Sequence, residues 1–198
     1  INLDIVLLDI FVEPDQIAVY FATARTISLI GFVHFAVNAA CMARFSARFA
    51  RGDMAGVQDL FRASRNWTLF PSLAGATAML ALGHPILWLF GTEFTAGYPL
   101  MFVLVLGLLA RAAVGPAQGL LVATGHQTLT AAVMAVTVAC NGGLNLLLIP
   151  QWGLMGAAAA TATAFALESL TLHLAARRAM ARAASVPMQP AAPQAPAE

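Results

Sequence analysis

The chain carries a succession of stretches, each about as long as a lipid bilayer is thick, in which charge is almost absent. A helix needs about 20 apolar residues to cross the hydrocarbon core. Five segments meet that length: 17–43, interrupted only by Arg25; 67–90, with no charge; 98–123, with Arg111; 129–149, with none; and 153–176, with Glu168. A sixth run, 1–12, carries Asp4 and Asp9 and is too short to span alone, so it is expected to be a truncated helix that starts upstream. Pro14, Gly91-Thr92-Glu93, Thr124-Gly125-His126 and Pro150-Gln151-Trp152-Gly153 each interrupt helical hydrogen bonding where a tight reversal is expected. The predicted fold is all-α, a polytopic membrane protein built as a six-helix transmembrane bundle.

Composition supports the bilayer as solvent and first partner. The chain is 60% hydrophobic and 10% charged, against roughly 25% charged residues in soluble domains. A formal charge of +1 supplies no clustered field to displace counterions from phosphates, which excludes nucleic acid as a partner. All ten basic residues are arginines and alanine is abundant, which suggests a bacterial genome rich in G and C. Cys41 and Cys140 lie in apolar runs without CxxC spacing and are expected to be small packing residues. His34, His84, His126 and His173 have no metal-ligand spacing and are expected to be structural or interfacial, so neither metal nor cofactor is expected. No GxSxG, Walker A or dinucleotide-binding pattern occurs, and the loops are too short for a catalytic domain, so no enzyme is expected. Residues 185–198 form a Pro/Ala-rich tract with too little apolar bulk to order, expected as a disordered tail behind a domain spanning 1–184.

Arginine placement predicts orientation, because short loops rich in arginine stay cytoplasmic. Arg44, Arg48, Arg51, Arg62 and Arg65 fall together, and Arg177, Arg178 and Arg182 fall in the tail, so eight of the ten share one side. The opposite loops hold Glu13, Asp15 and Glu93. The C-terminus is therefore expected in the cytoplasm, with the loops near 14, 92 and 151 outside. Residues 52–65 are expected as a short amphipathic surface helix, with Met54, Val57, Leu60 and Phe61 toward lipid and the arginines toward headgroups.

Ionisable groups inside a span are costly and point first to function. Arg111 lies near the middle of its span, and on a helical wheel shares a face with Gly107, Gly115 and Gln118, a small and polar stripe suited to a cavity or a helix contact. Its other reading is a buried ion pair with Glu168. Arg25, about 12 Å below the outer end of its span, shares a stripe with Ala18, Ala22, Phe32 and Ala36, and either meets a ligand or snorkels outward. Glu168, stacked with Thr161 and Thr171, either binds a coupling proton or cation or pairs with an arginine. Thr137, Asn141 and Asn145 form a second polar stripe, read as glue between helices before a substrate site. Pro71, Pro85, Gly115-Pro116 and Gly142-Gly143 are expected to kink helices.

The chain up to its tail resembles the C-terminal six-helix lobe of polysaccharide (O-antigen type) flippases, in the multidrug/oligosaccharidyl-lipid/polysaccharide exporter superfamily. The likeness rests, in order, on Asp4-Ile5-Val6-Leu7-Leu8, Tyr20-x-x-x-Ala24-Arg25, Arg51-Gly52-Asp53, Phe70-Pro71, Leu89-Phe90-Gly91-Thr92-Glu93-Phe94 with Gly97, Gly115-Pro116 with Thr124-Gly125, and the run from Ile149-Pro150 to Ala157-Ala158. It departs from the pattern at Ala18, where glycine is usual, around Arg44, where a proline is often found, and at Arg111, where a small polar residue is common. The resemblance implies two six-helix lobes, the N-terminal one not in this sequence, that rock about a central cavity in the bacterial inner membrane. The implied cargo is a lipid-linked oligosaccharide carried on undecaprenyl pyrophosphate, exported for cell-surface polysaccharide such as lipopolysaccharide O-antigen. For such a cargo the depth of Arg111 in its span, and not the resemblance, makes it, and after it Arg25, the residue expected to attract the pyrophosphate, because guanidinium forks suit phosphate oxygens, and Gln118 is expected to line the cavity. Two other readings are a cation-coupled multidrug and toxin extrusion exporter of the same fold, and a noncatalytic membrane scaffold.

Overall fold

Every polar group of a backbone in lipid must be paired within the chain, and helices achieve this locally. The structure, a computed structural model, describes residues 3–185, and among these there is no strand. Six helices follow in order: α1 (Leu3–Phe11), α2 (Pro14–Ala50), α3 (Met54–Trp88), then, after a 3₁₀ segment (Thr92–Gly97), α4 (Tyr98–Val114), α5 (Ala117–Ala123) and α6 (Gln127–Ser185). Four stretches, Pro14–Ala50, Met54–Trp88, Thr92–Val114 and Gln127–Arg182, are long and apolar enough to cross a membrane. The chain is an all-α, multi-pass membrane protein. Ser185 ends α6; the rest of the predicted tail lies outside the described residues.

The last helix is a hairpin. Gly153 takes φ 53° and ψ −131°, a conformation open to glycine and closed to most side chains. A straight helix would hold residues 148 and 156 about 12 Å apart, yet a Cβ on Gly156 would collide with the Leu148 carbonyl. The chain therefore doubles back at Gly153 into two arms, 127–152 and 154–185, and Ile149 and Ala157 join the same buried cluster.

Two boundaries differ from expectation. Residues 52–65 are not a separate surface helix. From Met54 the helix runs unbroken to Trp88, passing through Pro71 and Pro85, with the Asp53 side chain accepting from the Gly56 N–H at 2.8 Å as its N-cap. Arg62, Arg65 and Asn66 end the apolar run but break no hydrogen bond. Nor does the stripe Val57, Leu60 and Phe61 face lipid: it is buried in a cluster with Phe45, Leu120, Leu121, Leu172 and Ala176. The expected span 98–123 is split at Gly115-Pro116, where Gly115 takes φ 76°, so the helical wheel that placed Gln118 below Arg111 does not continue past Val114. Cys41 is buried as expected, but Cys140 is exposed.

Charge separates the two ends. Phe49, Met54, Thr124, His126 and Arg182 share one pocket, so the ends of α2 and α6, the start of α3 and the α5–α6 turn converge. Asp15 and Glu93 meet at the other end. Between them the outer surface is apolar, with Phe32, Leu106, Leu147 and Trp152 each at least 60% exposed, which suits hydrocarbon and not water.

Candidate functional site

The site follows from the break in α4. Pro116 supplies no side-chain cap to α5, so the first N–H groups of that helix need an acceptor from elsewhere. Asn38, on α2, provides it: its Oδ1 accepts from the Gly119 N–H at 3.0 Å. The contact is so close that a Cβ on Gly119 would strike Asn38. This ties α2 to α5 and leaves Arg111 in the last turn of α4, near carbonyls that carry partial negative charge.

Arg111 stands where two cavities meet. One, of about 290 Å³, lies among α1, α2, α4 and the second arm of α6, and includes Asp4, Tyr20, Arg25, Thr161 and Phe165. The other, of about 300 Å³, is lined by His34, Asn38, Ser72 and Gln118. Arg111, Leu108 and Gly31 belong to both. A Cβ on Gly31 would meet nothing within 4 Å, so the missing side chain there is part of the open space. Gln118 thus reaches the same space as Arg111 after all, across the break and not along one helix face; its Nε2 lies 3.9 Å from Met134 Sδ.

The second arm of α6 presents two groups to Arg111. Glu168 Oε1 lies 3.9 Å from its Nη2, with the Glu168 side chain 8% exposed and the Arg111 side chain 30% exposed. The Phe165 ring centroid lies 5.3 Å from the guanidinium carbon, within cation–π range. The approach of the arm is set by small residues, since a Cβ on Gly107 would come within 2.6 Å of Ala162 Cα. Arg111 therefore lines a cavity and at the same time lies beside Glu168.

Arg25 is exposed on the first cavity together with Arg111. Of its stripe, Ala22 is buried while Ala18, Phe32 and Ala36 are not covered by the described residues. Across from it Tyr20 OH donates to Asp4 Oδ2 at 2.8 Å. Thr137, Asn141 and Asn145 do not join either cavity; Asn145 Nδ2 donates to the Asn141 carbonyl at 2.9 Å, within one helix, and Asn145 Oδ1 is buried without a partner. Thr171, expected beside Glu168, donates to the Leu167 carbonyl and is exposed. Among the described residues no group of His, Cys, Asp and Glu side chains is placed to hold a metal ion.

A family model described as MatE matches residues 2–150. Arg25, Arg111 and Gln118 fall inside that stretch and Glu168 beyond it. No curated protein and no solved structure matches the chain.

Proposed function

Because the chain belongs to the MatE family, and so to an exporter superfamily of membrane transporters, we propose that it forms one lobe of a flippase that moves a lipid-linked oligosaccharide across the bacterial inner membrane by alternating access. The observation that carries this reading is the pair of guanidiniums, Arg25 and Arg111, on one cavity of about 290 Å³ whose other lining is mostly apolar, with Asp4, Tyr20 and Thr161 among it. Substrate sites of repeat-built transporters lie at the interface of their repeats, and a diphosphate is an anion that two arginine forks suit. A second six-helix lobe would close the cavity from the opposite side. The arginine-rich end is assigned to the cytoplasm.

Glu168 favours this reading over cation-coupled drug export. Its carboxylate is tied to Arg111 and is less free to serve as a cation site, although Asp4 keeps an acid on the cavity. Replacing Arg111→Gln in the full-length protein is expected to abolish polymer export while membrane insertion stays normal. Export at the unsubstituted level would remove Arg111 from the mechanism. Cation efflux that needs no lipid carrier and is blocked by Glu168→Gln would replace the flippase by the drug exporter.

A further inference from the structure

At the arginine-rich end, α3 and the last turns of α6 enclose a second kind of pocket, of about 420 Å³, that shares no residue with the cavity at Arg111. Its lining carries Arg62, Arg65, Arg177 and His173, together with Phe61 and Met180. No carboxylate lines it. Asp59 holds Arg62 at 3.3 Å from outside, both side chains exposed, and among the described residues neither Arg65 nor Arg177 has an ion-pair partner. Three like charges around one concavity repel, and an anion between them relieves that repulsion.

The fold holds these groups in place. A Cβ on Gly115, at the break between α4 and α5, would come within 2.9 Å of Arg65 Cα, so α3 packs closely against that break at Arg65. His173 stacks on Phe61 with ring centroids 6.0 Å apart, and its Nδ1 is buried with no hydrogen-bond partner. Arg62 and Arg65 immediately precede the apolar run 67–90, and Arg177 immediately follows the run 153–176. The pocket thus sits where hydrocarbon gives way to headgroups, the depth of a phospholipid phosphate. Basic pockets between helices at that depth take anionic headgroups.

We propose that this pocket binds the phosphate headgroup of an anionic phospholipid from the leaflet at the arginine-rich end. Purified full-length transporter, titrated with phosphatidylglycerol and read by native mass spectrometry, should retain a bound lipid that phosphatidylcholine does not replace. The double substitution Arg65→Gln/Arg177→Gln should weaken retention about thirtyfold, and each single substitution about fivefold, which keeps the test readable if the double variant does not fold. The control Arg44→Gln/Arg178→Gln removes equal charge from the same end outside the pocket and should retain lipid as the unsubstituted protein does. Equal loss in both double variants, or loss in neither, would overturn the site. Displacement of the lipid by inorganic phosphate at matched concentration would overturn the lipid as its occupant.

Discussion

Arg111 is held by charge without being used up by it. A hydrogen-bonded guanidinium–carboxylate fork closes to roughly 2.7–2.9 Å, whereas Glu168 stays at 3.9 Å, so the attraction is electrostatic and the donors of the fork remain open to the cavity. Removing one partner of such a half-buried pair costs about 1–2 kcal/mol, below the cost for a fully buried one, and Glu168→Gln is expected to lower the unfolding free energy by that amount in a detergent unfolding assay. The exchange Arg111→Glu/Glu168→Arg separates architecture from ligand binding. Thermal stability should return toward that of the unsubstituted protein while polymer export stays lost; recovery of export would reduce Arg111 to a structural partner. The pair was legible in the sequence because so few ionisable residues lie in the spans that each has few partners to choose from. Asn38 was not, since its bond to Gly119 joins positions 81 residues apart and exists only once α2 has met α5. The faint signal was Pro116, which starts α5 without a side chain able to cap it.

Helices α4 and α6 meet through their smallest residues, and that contact brings Glu168 and Phe165 up to Arg111. With Gly107 against the Ala162 backbone, a larger residue must push α4 away from the second arm of α6 or deform one of them, at about 1–3 kcal/mol. Gly107→Val is therefore expected to lower stability by that amount and weaken export together, while Gly31→Ala, which meets open space inside α2, should hold or slightly raise stability; an unchanged thermal midpoint in Gly107→Val would contradict the close approach. Chain reversals at this scale are readable because glycine and proline mark them directly: Gly91, Gly125 and Gly153 fall between helical segments, and Pro14 opens α2. The join between 52–65 and 67–90 is hidden in the sequence for the opposite reason. Arginines mark where hydrocarbon ends, but α3 has 35 residues and at 1.5 Å each runs about 50 Å, well beyond the roughly 30 Å core. Its overhang packs on α2, α5 and α6, so the amphipathic stripe covers protein instead of lipid.

Charge asymmetry belongs to the whole molecule, because it appears only when distant segments are brought to one end. Arg44, Arg48 and Arg51 end α2, Arg62 and Arg65 lie early in α3, and Arg177, Arg178 and Arg182 lie late in α6, so eight arginines gather on one face of the bundle. Glu13, Asp15 and Glu93 gather on the other. Each arginine kept from crossing adds to the same orientation, and with none in the opposing loops no competing signal exists. The sequence made this asymmetry legible through alternation of the spans alone, and it holds in three dimensions because α2, α3 and the two arms of α6 each pass from end to end. A cysteine-free background, Cys41→Ala/Cys140→Ala, then allows each end to be addressed by one thiol. Thr92→Cys, exposed at the acidic end, should react with a membrane-impermeant maleimide in intact cells. Asp59→Cys, exposed at the arginine end, should react only after permeabilisation. The reverse pattern would turn the bundle over, place the Arg62–Arg177 pocket in the outer leaflet, and require the proposed cargo to approach the cavity from the end carrying Asp15 and Glu93.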